Sequence, residues 1–308
     1  MVNSKRSCTL QTAILIAFFT ASGALTSAGN SGIGTLEWIA AGLISALVLA
    51  VIALLVRWLP LCSPETGKSD RSAIALIFAV LVWLISLEIA IDAVSEYAAL
   101  TSAVMLRESR EFLPILLLIF PACLICRRAD GILKFAPLAL LVGTPVFLML
   151  FSASFDGASL TDCLDNLTFT PDKLPLAYAE SFAFVSLVLL CSKKAGATPT
   201  GNLSAGAVAG GAVAGALCMQ SISVLGSAYA AALDYPYAEA VSAITLGGAL
   251  TRPDGFGYTL VTLCQIIRLS IAGNAFLAAA EPFFGERRLP NLLFFTLTAV
   301  LCVILGSL

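Results

Sequence analysis

The chain has 308 residues, 59% of them hydrophobic, with 17 Lys+Arg against 19 Asp+Glu. At 12% charged residues it carries about half the share usual in soluble domains. That is too little to clothe a surface of this size, and with a mean hydropathy of +0.97 it excludes an ordinary cytosolic enzyme. There is no histidine, which removes His-based triads, His-ligated metals and the usual neutral-pH proton shuttle. The net charge of −2, with no basic run longer than two residues, excludes nucleic acid as a partner.

A bilayer span takes ~20 mostly apolar residues, so the length holds about ten spans and little else. The fold class that follows is an all-α polytopic membrane protein, one integral membrane domain over 1–308. At the start, Lys5 and Arg6, the apolar run Ala13–Phe19 and the small residues Ala21–Ala24 have the form of a cleaved signal peptide. The apolar tract continues to Asn30 and a second span follows at once, which favours a retained first helix over 10–29.

The remaining spans read as Trp38–Val56, Ala73–Met105, Phe112–Cys126, Ile132–Phe151, Leu174–Cys191, Leu203–Leu233, Tyr237–Leu250, Phe256–Ala280 and Leu289–Leu308. The fourth carries Pro114 and Pro121, and the eighth is short. Between the fifth and sixth lies the longest polar stretch, 152–173, with Asp156, Asp162, Asp165 and Asp172.

Loop cations orient the chain. With the N-terminus inside, the inner side collects eleven of them, including Arg57, Lys68, Arg127, Arg128, Lys193 and Lys194. The outer side holds five: Arg107, Arg110, Lys173, Arg287 and Arg288. The positive-inside bias then places both termini in the cytoplasm and the acidic loop 152–173 outside. Five spans on each side of that loop, 1–151 and 174–308, permit a 5+5 inverted repeat. An odd number per half makes the second half enter the membrane from the opposite side.

Several residues stand where lipid should exclude them. Ser22, Gly23 and Ala24 load small and polar residues into the first span, where Gly costs about 1 kcal/mol relative to Ala. Composition therefore predicts a break there, with backbone N–H and C=O groups free to meet a ligand. Glu88, Asp92 and Glu96 in the third span are spaced i, i+4, i+8 and share one face. Glu88 follows a long apolar run and reads as the deepest, and Glu96 reads as a solvated extension at the outer mouth. Glu180, beside Ser181, is the cleanest carboxylate of the second half. It is a candidate for a cation, a proton or a ligand amine. Arg268, about midway along the ninth span, is the internal cation, suited to neutralising one of these acids.

Other features read as packing. Gly206-x3-Gly210 and Gly211-x3-Gly215 have the spacing that lets helices approach closely. Cys123 and Cys126 form a CxxC inside a span with no second ligand pair, so small apolar filling is the simpler role. Glu239, after Tyr235-Pro236, sits where an acid complements a helix N-terminus. No metal site and no cofactor is called for.

Arg107-Glu108-Ser109-Arg110-Glu111-Phe112-Leu113-Pro114, Tyr178-Ala179-Glu180-Ser181-Phe182 and Tyr235-Pro236 with Arg252-Pro253-Asp254 give the chain a further aspect. In these segments and in its span pattern it resembles the spore germination B-subunit permeases of the amino acid/polyamine/organocation transporter superfamily. The resemblance implies a 5+5 LeuT-like fold with a ligand held between the first, third, sixth and eighth helices. It implies an amino acid or similar small germinant as ligand, a membrane A subunit and a lipoprotein C subunit as partners, and the inner spore membrane as location. Two departures accompany it: the chain looks shorter than typical members, and its sixth span has Pro175 but no glycine where unwinding is expected.

The expected function is a permease-like subunit binding a small amino acid. Backbone groups of Ser22–Ala24 would take its carboxylate, and Glu180 or Glu88 its amine or a coupled ion. The alternative is a stand-alone proton- or cation-coupled transporter, in which Glu88, Asp92 and Glu180 titrate. A third reading is a scaffold acting through the glycine-rich seventh span. An enzyme is disfavoured by the lack of His and of a GxSxG nucleophile elbow.

Overall fold

The computed structural model describes residues 2–26, 35–58, 73–105, 112–128, 130–154, 200–244, 254–284 and 287–306. All regular structure among these residues is helical. In chain order the helices are α1 (Val2–Thr26), α2 (Thr35–Trp58), α3 (Ala73–Leu100), α4 (Phe112–Cys126) and α5 (Gly131–Ala153). They continue with α6 (Thr200–Leu225), α7 (Ser227–Ala232), α8 (Pro236–Ala243), α9 (Asp254–Phe284) and α10 (Arg288–Gly306). A single π turn, Thr101–Met105, prolongs α3. Gly131–Ala153, Leu203–Leu225 and Asp254–Glu281 are each long and apolar enough to cross a membrane. Shorter apolar helices cover Leu10–Thr26, Thr35–Val51, Leu113–Cys126 and Arg288–Ile304. This is the make-up of an α-helical membrane protein.

The apolar surplus faces outward as much as inward. On α2, Ile39, Leu43, Leu47 and Val51 are all exposed at four-residue steps, one stripe of the helix. On α10, Leu289, Leu292, Leu293, Val300, Val303 and Ile304 do the same. In water such stripes would drive association; against lipid tails they need no cover.

With little hydrophobic force between helices in a bilayer, close backbone approach holds the bundle together. α6 sits between α1 and α2 and uses each glycine pair for one neighbour. A Cβ on Gly206 would lie 2.6 Å from the Ala13 carbonyl oxygen, and one on Gly210 would lie 2.7 Å from Thr20 Cβ; both face α1. A Cβ on Gly211 would lie 2.7 Å from Gly42 Cα, and one on Gly215 3.0 Å from the Thr35 oxygen; both face α2. The Ser204 hydroxyl adds a bond to the Ala46 carbonyl at 3.1 Å. The packing role read from the spacing is borne out.

α6 ends at Leu225, about two turns before the expected span does. Gly226 has φ +81°, a conformation open to glycine, and α7 restarts at Ser227 in a new direction. Leu233 is extended, and Pro236 then opens α8 at its first turn, where a missing N–H costs nothing.

α3 and α9 run antiparallel in a fixed register. Trp83 packs on Phe276, Phe283 and Phe284, with ring centroids 5.6–6.4 Å apart. Three to four turns on, the Tyr97 hydroxyl lies 3.0 Å from Thr262 Oγ1. This register sets residues 92–96 of α3 level with the middle of α9. Where α4, α9 and α10 meet, sulfur and amide groups pair. Cys126 Sγ donates to the Ser270 carbonyl at 3.2 Å, and Asn291 Nδ2 donates to the Cys123 carbonyl at 3.2 Å. The CxxC cysteines are therefore more than apolar filling: they take part in polar contacts between helices.

Candidate functional site

The break that composition predicts at Ser22–Ala24 is not there: α1 runs on to Thr26. The Ser22 hydroxyl turns back to the Phe19 carbonyl at 2.6 Å, and the helix keeps its own backbone bonds. Gly23 serves packing instead, since a Cβ there would meet Trp38 Cη2 at 2.7 Å. The small residues make room for a ring and leave the backbone helical.

The polar groups converge one turn further along. Thr26 Oγ1, in the last turn of α1, lies 2.8 Å from Glu96 Oε2 on α3. The same carboxylate oxygen receives Nη1 of Arg268 from α9 at 2.6 Å. Gln265, three residues before Arg268 and on the same face of α9, donates Nε2 to Thr26 Oγ1 at 3.1 Å. Donors therefore run Gln265 to Thr26 to Glu96, with Arg268 closing on the same oxygen. Thr26 has one proton and two acceptors in reach, Glu96 and the Ser22 carbonyl at 3.1 Å. The shorter, charged contact is the stronger of the two. Thr262 donates to its own Tyr258 carbonyl at 2.8 Å, which leaves the Tyr97 hydroxyl as donor in their contact and fixes α3 beside α9.

Burial is graded across the cluster. Arg268 and Gln265 are at most 1% exposed and Thr26 is 3% exposed, while the Glu96 side chain is 39% exposed. Asp92 and Glu88, one and two turns back along α3, are exposed. Asp92 lies within electrostatic range of Arg268, Glu96 and Glu88. The Tyr235 phenol, between α7 and α8, is within range of Glu96 and Asp234. Among the described residues, the Arg268 guanidinium thus pairs with Glu96 and lies within range of Asp92 on the same helix stripe.

Exposure along the α3 acids falls from Glu88 and Asp92 to Glu96. Glu88, read as the deepest, is exposed, and Glu96, read as a solvated extension, holds the buried arginine. The cause is register: α3 crosses α9 so that Glu96 meets Arg268 mid-span, which a hydropathy count along one helix does not reveal. The sequence reading of Arg268 as a charge partner for one of these acids is borne out, and its partner is Glu96. Glu180 and Ser181 lie outside the described residues, as do the loop 152–173 and the span 174–191. Thr26, Glu96, Tyr97, Thr262 and Gln265 were not among the sequence candidates for the site. Thr262, Gln265 and Arg268 recur at three-residue steps along α9, a polar stripe that helical spacing alone exposes.

A second concavity, about 440 Å³, opens between α1, α5, α6 and α9. Its walls are apolar, among them Ala17, Phe18, Gly143, Val213 and Leu260, with Thr144 the lining hydroxyl. It has no charged group to hold a zwitterion, so the polar chain on the other flank of α1 is the candidate site.

No family model matches the chain, and no curated protein matches it. Of the segments carrying the resemblance noted above, 107–111 and 178–182 lie outside the described residues, and Tyr235-Pro236 opens α8.

Proposed function

We propose that this chain is a permease-like membrane subunit that binds a small germinant such as an amino acid. By its resemblance it would do so within a spore germinant receptor, alongside an A subunit and a lipoprotein C subunit. One observation carries the reading: a hydrogen-bonded chain of Gln265, Thr26, Glu96 and Arg268 that joins the last turn of α1 and the C-terminal part of α3 to the middle of α9. Helices of a bilayer can be held together by small residues alone, as α6 is. An ion pair there costs desolvation that apolar packing would avoid, and intramembrane charges commonly mark ligand or ion pathways.

The chemistry available is recognition without a covalent step. Arg268 presents N–H donors of fixed geometry suited to a carboxylate, and Glu96 supplies that carboxylate. Glu96 and Asp92 attract an ammonium group, and the half-exposed Glu96 carboxylate is the point of access. Ser22, Gly23 and Ala24 lie within one turn of Thr26, where the Ser22 carbonyl accepts from Thr26 and Gly23 makes room for Trp38, so they support the site rather than offer it free backbone groups. Glu180 and Ser181 remain proposed ligand contacts of the second half. The test is thermal unfolding of the purified chain in detergent, screened over the amino acids. At least one should raise the midpoint, and folded protein indifferent to all of them would refute the proposal.

The Glu88–Asp92–Glu96 stripe favours a second reading, a stand-alone proton- or cation-coupled transporter. Its exposed carboxylates, Glu88 and Asp92, are groups that a moving cation or proton would neutralise. Uptake driven by a pH gradient in vesicles holding this chain alone, abolished by Asp92→Asn or Glu180→Gln, would decide for it.

A further inference from the structure

Gln265 is fully buried, and its carboxamide is half used. Nε2 donates to Thr26 Oγ1, while Oε1 has no hydrogen-bond partner among the described residues. A buried amide oxygen left bare is costly, because it has given up water without gaining a donor. The orientation of the amide is set by its neighbours. Thr26 gives its proton to Glu96, so it can only accept from Gln265, which places Nε2 on Thr26 and turns Oε1 away from it. The bare oxygen therefore belongs to the same carboxamide that touches the Thr26–Glu96 contact.

An acceptor without a donor, linked through Thr26 to the Glu96 carboxylate, suits a ligand group that is both cationic and rich in N–H. We propose that Gln265 Oε1 is the hydrogen-bond acceptor for a protonated primary amine, with Glu96 and Asp92 supplying the opposing charge. This rests on the reading of the α1–α3–α9 cluster as a ligand site. It adds to that reading the ligand group that the site recognises and the residue that recognises it. Entry is from the Asp92 side, along the exposed stripe of α3 to the part-exposed Glu96.

The experiment uses the full chain in detergent and three probes of similar size: n-propylammonium, tetramethylammonium and propionate. Propylammonium should raise the unfolding midpoint. Tetramethylammonium, which carries the charge without an N–H, and propionate should not. Gln265→Leu should weaken propylammonium binding about tenfold or more, the loss of one charge-assisted hydrogen bond. Gln265→Glu, which keeps an acceptor at the same reach, should bind it at least as tightly. Equal responses to the two ammonium ions, no response to propylammonium, or unchanged affinity in folded Gln265→Leu would overturn the assignment. If Gln265→Leu does not fold, reduced affinity in Gln265→Glu overturns it. An amino acid that binds the native chain and Gln265→Leu equally leaves the ligand site standing and removes Gln265 from it. A propylammonium response with no amino acid response does the reverse.

Discussion

Arg268 Nη1 lies 2.6 Å from Glu96 Oε2, joining the middle of α9 to α3 through a cation that is 1% exposed and an anion that is 39% exposed. The two ends are unequal. Losing the carboxylate charge strands a buried guanidinium; losing the guanidinium leaves a carboxylate that still reaches solvent. Breaking a fully buried pair from one side costs about 3–5 kcal/mol. Here Asp92 is also in range and Glu96 is part-exposed, so Glu96→Gln should cost about 2 kcal/mol and Arg268→Gln less. The double variant should recover part of the Glu96→Gln loss. Thermal unfolding of the three variants in detergent checks the order.

Thr26→Val keeps the shape of the side chain and removes the hydroxyl that links Gln265 to Glu96. Two hydrogen bonds disappear and a buried N–H donor is exposed to apolar surroundings, for about 1–2 kcal/mol. Thr20→Val is the control. Its hydroxyl bonds only the Ile16 carbonyl of its own helix at 3.0 Å, and its loss should move the midpoint by much less.

Two glycines of opposite surroundings test the account of helix packing. Gly211→Ala drives a methyl against the backbone of Gly42, and α2 and α6 must part, for about 1–3 kcal/mol. Gly255→Ala, with nothing within 4 Å of the new Cβ, should be neutral or stabilising by about 0.5–1 kcal/mol, because alanine orders more readily in a helix. Equal midpoint changes would contradict the packing scheme.

Gly226→Ala has space for its methyl but places it at φ +81°. The left-handed region costs an L-residue roughly 1–2 kcal/mol. The change should also be relieved by shortening the bend between α6 and α7, visible as altered proteolysis of that junction.

The sequence was most informative where one physical term dominates. Apolar runs gave α4 at Phe112–Cys126 and the extent of α3 with its π turn to Met105, because a span is set by length and hydropathy alone. The i, i+4, i+8 spacing put Glu88, Asp92 and Glu96 on one stripe, since helical geometry needs no partner. It was uninformative where two helices must be set side by side. The Glu96–Arg268 pair depends on the register fixed by Trp83 against Phe276 and Phe283, residues whose contact no spacing announces. Gly23 misled in a different way: glycine signals an unwound backbone and a close neighbour equally, and only the Trp38 ring distinguishes them. Gln265 and Thr262 were legible in principle as a polar stripe with Arg268, overlooked because uncharged groups stand out less than a lone cation.

The central claim is that the chain binds a small amine-bearing solute between α1, α3 and α9. It is tested most directly by screening the amino acids for thermal stabilisation of the native chain beside Glu96→Gln/Arg268→Gln, which carries no charge at either position of the pair. The account predicts a midpoint rise for at least one amino acid in the native chain and none in the double variant. Equal rises in both proteins, or none in a folded native chain, would contradict it.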